Sequence, residues 1–348
     1  MRENRGKLII LGVLIVTLAI AGLLLSRQAN KSGKPIANTS FSLMTSIHEL
    51  TTPLGVAVDG DENIYVSNTG ASEFVVYDSG GVEKFRLTSI PDDKADGLDE
   101  NGDVKFYSPY GIAVDDENNK VYICDAVVRV LDKAGNYLYS LKLPPGTVAV
   151  TPGQGSPRTN EITLYKDKVF VTSRDGIYIF DNQGKYIGHW GTRGAEIGQY
   201  DFPNGIAADP ANGNLFIADT NNSRVVSLTP EGKTRWVIGA WDDAKIGNPF
   251  HLVRSVAVGP DGLVYVSDVP DRILVLDQDG NLKAIIGERG TEDAQLNFPE
   301  GIAVSSSNKL YIADRENNRV QVWQLSGDMP LPSAADVEKF KKSLRKFE

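Results

Sequence analysis

The sequence is poor in the residues that build metal and redox sites. It holds one cysteine, three histidines and three methionines in 348 residues. A single cysteine excludes an intramolecular disulfide and leaves the redox compartment undetermined. Cys124 lies in the apolar run Val121-Tyr122-Ile123-Cys124, with no recognisable base beside it. It reads as a small core residue rather than a nucleophile. A catalytic zinc usually takes about three protein ligands, often imidazoles. His48 follows the first strand, His189 ends an outer strand, and only His251 falls in a linking loop. A shared zinc is therefore not expected. Basic charge is also scarce, with a net of −9. Residues 1–40 carry Arg2, Arg5, Lys7, Arg27, Lys31 and Lys34 against Glu3, a net of +5 that leaves −14 for the remainder. Nucleic-acid affinity comes largely from counterion release by Lys and Arg, so an acidic body disfavours DNA or RNA. No Gly-x-Ser-x-Gly, Walker or dinucleotide-binding motif is present.

One long uncharged run does occur, from Leu8 to Leu25. As a helix it spans ~27 Å at ~1.5 Å per residue, near the ~30 Å hydrocarbon thickness of a bilayer. A cleaved signal peptide is the competing reading. Ala19-Ile20-Ala21 is followed by Gly22-Leu23-Leu24-Leu25 rather than by polar residues, and a site at Ala29 would put Arg27 in the −3 position. Both fit cleavage poorly, so the run reads as an uncleaved signal anchor. With no cysteine near its end, a bacterial lipoprotein anchor is excluded. Basic residues flank the run three to a side, so loop charge says little about orientation. The short basic tail resembles a signal n-region, which places the body on the extracytoplasmic side. The layout expected is a tail at 1–7, a transmembrane anchor at 8–25, a linker at 26–40, a folded body at 41–325 and a C-terminal tail at 326–348.

The body repeats itself. Pro109-Tyr110-Gly111-Ile112-Ala113-Val114 leads to Val121-Tyr122-Ile123-Cys124-Asp125. Pro203-Asn204-Gly205-Ile206-Ala207-Ala208 leads to Leu215-Phe216-Ile217-Ala218-Asp219, and Pro299-Glu300-Gly301-Ile302-Ala303-Val304 leads to Leu310-Tyr311-Ile312-Ala313-Asp314. Pro53-Leu54-Gly55-Val56-Ala57-Val58 leads to Ile64-Tyr65-Val66-Ser67-Asn68. A fifth copy has Ser255 in place of the opening glycine. A sixth, around Glu161 to Phe180, lacks the Pro-x-Gly opening and is preceded by the loop Pro152 to Pro157. Short β-branched and aromatic runs between Gly, Asn and Asp turns are strands. Four antiparallel strands in each unit of roughly 46–56 residues make a propeller blade. The last unit lacks a fourth strand, while Phe41 to Ile47 is a strand with no unit of its own. If the first strand completes the last blade, both deficits vanish, no sheet edge is left between the ends, and the count is six. The expected fold is all-β: a six-bladed propeller of four-stranded antiparallel blades, with an N-terminal transmembrane helix and a short C-terminal helix.

The Pro-x-Gly-Ile-Ala-Val opening, the Tyr-Ile-Ala-Asp strand end and the Asn-Asn-Arg-Val turn together resemble the NHL repeat family, over about residues 41–325. Asp125 and Arg129, Asp219 and Arg224, Asp268 and Arg272, and Asp314 and Arg319 recur at four or five residues' spacing. Each reads as a structural pair in which a carboxylate ending one strand holds the guanidinium opening the next. A group repeated in four blades is unlike a catalytic one. In a propeller, individuality resides around the central channel and the blade-linking loops. Leu54, Tyr110, Asn160, Asn204, Arg254 and Glu300 align before each opening glycine and form the expected ring of binding residues at the channel mouth. Related six-bladed propellers include calcium-dependent lactonases, strictosidine-synthase-like proteins and a zinc-dependent amidating lyase. By that resemblance Asn160, Asn204 and Glu300 are candidate Ca2+ ligands, although an Arg254–Glu300 ion pair would block a cation.

The acidic stretch Asp92 to Asp103 departs from the EF-hand pattern, because Gly97 stands where the first Asp is required. From Ser333 to Glu348 the tail reads as a helix. Ser333 and Asp336 resemble a capping box, Val337, Phe340, Leu344 and Phe347 share a face, and lysines line the rest. Docking on the side of the propeller is expected over contact with anionic lipid. Altogether the sequence favours a membrane-tethered extracytoplasmic binding or scaffold module over an enzyme. No cofactor is required, and the protein, small-molecule or glycan partner is not identified. A calcium-dependent hydrolase, lactonase or lyase is the alternative.

Overall fold

The computed structural model describes residues 41–91, 103–144, 159–239, 248–326 and 329–347. The anchor run Leu8–Leu25, the loop Pro152–Pro157 and the acidic stretch up to Gly102 lie outside them. Among the described residues no helix is long and apolar enough to cross a membrane.

Six antiparallel sheets form the blades of a propeller. Blade one runs through Gly55–Val58, Ile64–Asn68, Glu73–Tyr77 and Glu83–Leu87. Blade two is built from Ile112–Asp115, Lys120–Cys124, Val128–Asp132 and Tyr137–Leu141. In blade three the strands are Thr159–Tyr165, Lys168–Ser173, Gly176–Asp181 and Tyr186–Trp190. Blade four has Pro203–Ala208, Leu215–Asp219, Arg224–Leu228 and Thr234–Ile238; blade five has Leu252–Val258, Val264–Val269, Arg272–Leu276 and Leu282–Ile286. Blade six takes Pro299–Val304, Lys309–Asp314 and Arg319–Leu325 from the end of the chain and Phe41–Ile47 from its beginning. Phe41 lies opposite Leu325 and Ile47 opposite Val320. The ring is thus closed by hydrogen bonds between segments almost the whole chain apart.

The second strand of every blade is buried along nearly its whole length and carries an aromatic residue at the same register: Tyr65, Tyr122, Phe170, Phe216, Tyr265 and Tyr311. Side chains alternate across a strand, so each such strand serves two interfaces. Ile64 and Val66 pack with Tyr311 and Ala313 of blade six, while Tyr65 packs with Ile112, Val121 and Ile123 of blade two. The pattern recurs around the ring, giving six apolar clusters, one per blade–blade interface. Full burial of one such side chain contributes about 1.5–3 kcal/mol. Cys124 is one of these core residues, wholly buried, and burial raises its thiol pKa well above the ordinary range.

The C-terminal segment differs from the continuous helix expected. The helix covers Ala334–Ser343 only, and Leu344–Lys346 is a strand. The start follows the capping expectation: Ser333 Oγ accepts the Asp336 backbone N–H at 3.1 Å and donates to its carboxylate at 2.6 Å. The helix stops because the free edge of blade four offers better backbone partners. Leu344, Arg345 and Lys346 pair with Ile238, Val237 and Trp236, adding a fifth strand to that blade. Phe340 is buried in the cluster between blades four and five, edge-on to Phe250 at 5.4 Å.

Candidate functional site

The innermost strands crowd the propeller axis, and this explains the opening glycine of each repeat. A β-carbon on Gly301 would lie 2.5 Å from the Leu54 carbonyl oxygen, and one on Gly205 would lie 2.7 Å from Ser255 Cα. Gly55 and Gly111 likewise abut the carbonyls of Tyr110 and Asn160. The contact is often a hydrogen bond to the next blade: Gly301 N–H donates to Leu54 O at 2.8 Å and Gly111 N–H to Asn160 O at 2.9 Å. Where blade five has Ser255, Ser267 Oγ donates to the Glu300 carbonyl at 2.6 Å.

This packing brings the ring residues to the axis, but mostly inward. Tyr110, Asn160, Asn204 and Glu300 are buried, and only Leu54 and Arg254 are partly exposed. Tyr110 reaches across the channel from blade two and donates its hydroxyl to Glu300 Oε2 at 3.0 Å. Arg254 Nε donates to the same oxygen at 2.6 Å, and its Nη2 donates to the Tyr110 hydroxyl at 3.3 Å. Arg315 Nη1 donates to the other oxygen, Oε1, at 3.2 Å, while its guanidinium lies over the Phe298 ring at 4.7 Å. Burial, only partly offset by Arg254, raises the Tyr110 pKa and keeps the phenol neutral. Asn160 Nδ2 donates to the Pro203 carbonyl at 2.9 Å, tying blade three to blade four.

This arrangement does not fit a calcium ion. Calcium takes about 6–8 oxygen ligands. Both Glu300 oxygens accept from protein donors, two of them guanidinium groups, and Asn160 presents its amide nitrogen to Pro203. Among the described residues, no group of three or more His, Cys, Asp or Glu side chains is placed to hold a metal. The histidines lie apart in character as well: His189 packs on Tyr178 at 4.4 Å, and the His251 side chain is 58% exposed in its loop.

Two residues of the site escaped the sequence reading. Arg315 follows the second strand of blade six, and nothing local marks it as an axial residue. Glu161 had a signal: it occupies the register of the opening glycine in blade three. Its carboxylate lies against Gly111 and accepts the backbone N–H groups of Ile162 (3.2 Å) and Ile112. Burial without a counter-charge pushes its pKa up to about 8, so it is largely neutral at pH 7.

The paired Asp and Arg residues act on the linking loops. Arg224 Nε donates to Asp219 at 2.8 Å, and its guanidinium also donates to the carbonyls of Ala195, Glu196 and Gln199. Arg319 repeats this with Asp314 at 2.8 Å and with the carbonyls of Thr291, Glu292 and Gln295. Arg272 bonds Asp268 at 2.7 Å and the Pro249 carbonyl. Asp125 accepts from the backbone N–H groups of Tyr107 and Ser108, and the charge of Arg129 favours its ionised form. Each aspartate therefore pins the loop that enters its own blade. Burial raises Asp219 to about 6 against the pull of Arg224. The same loops leave Tyr107 50% and Ile197 49% exposed.

The NHL repeat model matches residues 200–226 and 296–323, in blades four and six. Peptidyl-glycine alpha-amidating monooxygenase of Mus musculus is 26% identical over 308 residues, covering 78% of this chain and 30% of that protein. NHL repeat-containing protein 3 of Homo sapiens is 24% identical over 225 residues, covering 61% of this chain and 50% of that protein. The chain thus spans half or less of the length of these relatives. In structure, this propeller is similar to streptogramin B lyase, with a TM-score of 0.54 and 13% identity over 82% of this chain and 98% of that one. A structural genomics protein of unknown function from Bacteroides thetaiotaomicron gives 0.58 and 14%, over 82% and 72%. These likenesses establish the fold.

Proposed function

We propose that the chain is a membrane-tethered, extracytoplasmic binding or scaffold propeller that engages its partner through the blade-linking loop face. One contrast carries this reading. The polar groups at the axis bond to one another, whereas the linking loops are pinned from beneath by the aspartates and arginines and hold Tyr107, Ile197 and His251 out to solvent. Loops held rigid before contact lose less entropy on binding. Because Tyr110 and Glu300 are buried, substituting them would strike folding as well as recognition, so the test falls on the exposed residues. Tyr107→Ala, Ile197→Ala and His251→Ala, combined in the full chain, are expected to abolish partner crosslinks in intact membranes at an unchanged melting temperature. Crosslinks retained by the triple variant would overturn the loop-face assignment. Tethering through Leu8–Leu25 predicts retention in the membrane pellet after alkaline carbonate extraction, and extracytoplasmic placement predicts digestion of the body by protease added to intact cells.

The competing reading is a calcium-dependent hydrolase, lactonase or lyase, which the resemblance to other six-bladed propellers implies. The engagement of Glu300 by Arg254, Arg315 and Tyr110 weighs against it. Calcium retained on purification, with a chelator-induced fall in melting temperature, would restore it.

A further inference from the structure

The C-terminal segment carries a charge opposite to that of the body. Lys339, Lys341, Lys342, Arg345 and Lys346 are all exposed. The acids of the helix are Asp336, hydrogen-bonded to Ser333, and Glu338, paired with Lys342 at 3.3 Å. The helix packs against both Thr234–Ile238 and Leu282–Ile286, and the latter carries exposed Lys283, whose charge also acts on the Asp277 carboxylate. This basic flank belongs to a protein whose residues from 41 onward sum to −14. Two apolar side chains frame it, Leu331 at 90% and Phe347 at 37% exposed.

The fold separates the two roles of this amphipathic segment. Phe340 and Leu344 face the propeller, and Leu344–Lys346 is held by backbone pairing to blade four. The cations therefore sit on an element that Phe340, Leu344 and backbone pairing hold in place. Rigid cations at a surface, with apolar groups beside them, match an anionic bilayer: the charges meet lipid headgroups and the apolar groups enter the interfacial layer. A soluble polyanion would use the charge but not Leu331 and Phe347. We propose that the flank formed by the C-terminal helix, the strand Leu344–Lys346 and Lys283 is a contact surface for anionic lipid headgroups. This surface is distinct from the loop face and does not depend on that assignment; its reconstitution rests on tethering through Leu8–Leu25, which carbonate extraction tests by itself.

The test uses the full chain with an environment-sensitive fluorophore at Phe347→Cys, the native Cys124 being wholly buried. The protein is reconstituted in phosphatidylcholine vesicles with or without roughly one-third phosphatidylglycerol. Each basic residue near an anionic surface adds to the attraction, so the expected result is a blue shift in the anionic vesicles and little in the neutral ones. About 0.5 M NaCl should remove most of it, since screening then acts within a few ångströms. The five-fold variant with Lys339, Lys341, Lys342, Arg345 and Lys346 changed to Gln should lower the partitioning of the probe at least about tenfold. Thermal melting of that variant separates lost binding from lost folding. Equal spectra in the two vesicle types, or a shift untouched in the five-fold variant, would overturn the proposal. So would a response to a single-stranded oligonucleotide in solution combined with indifference to phosphatidylglycerol, which would assign the flank to polyanions.

Discussion

Glu161 makes the stability of blade three depend on pH in a direction that can be worked out. Its carboxyl is moved from an ordinary 4.5 to about 8 by burial, with only the N–H groups of Ile162 and Ile112 to stabilise its charge. Between those two values the folded protein holds a proton that the unfolded chain releases, so stability falls as pH rises through the window and levels off above about 8. At ~1.4 kcal/mol per tenfold change in proton activity, the whole shift amounts to roughly 5 kcal/mol. For a body of this size that is about 5–10 °C in melting temperature. Glu161→Gln keeps an acceptor for the two amides and removes the charge. The variant is therefore expected to match the wild type near pH 4.5 and to exceed it progressively up to pH 8. Tryptophan fluorescence during thermal melts at half-unit pH steps would measure the difference. Asp219, raised to about 6, contributes its own slope at lower pH in both proteins and cancels in the comparison. Parallel curves for the two proteins would refute the reasoning, because they would mean that Glu161 ionises in the fold at no cost.

Other consequences are as direct. Gly301→Ala places a β-carbon against the Leu54 carbonyl and should destabilise by about 1–3 kcal/mol in urea titration. Gly188→Ala, whose new methyl would meet only Ile179 Cδ1 at 3.9 Å, is the near-neutral control. Arg319→Ala leaves Asp314 buried without its cation and should cost about 3–5 kcal/mol. Faster amide exchange across 290–297 would show that the linking loop has been released. Phe340→Ala empties a buried site, with an expected loss of about 3–5 kcal/mol at most. Trypsin should then cut at Lys339, Lys341 or Lys342 well before the propeller, and a tail as resistant as the wild type's would count against docking through Phe340.

The repeats, the alternation within their strands and the six-fold count could be read from the sequence, because they depend on neighbours a few residues apart. Even ring closure was legible, since a strand without a unit at one end and a unit without a strand at the other leave one arrangement that pairs every edge. The crossing of the channel was not. Tyr110 meets Glu300 across 190 positions of chain, and only the circular arrangement of blades makes them neighbours. The same geometry turns Glu161 from a misfit in a repeat into a buried neutral acid, and it lets Arg224, Arg272 and Arg319 reach linking loops 23–29 residues upstream. The end of the C-terminal helix is decided in the same way. Its local periodicity favours more helix, but the open edge of blade four satisfies the backbone of Leu344–Lys346 as a strand. Sequence alone determined which segments are strands and how they are ordered; tertiary structure decided which polar groups meet, because burial and charge pairing depend on distances in space that no local pattern encodes.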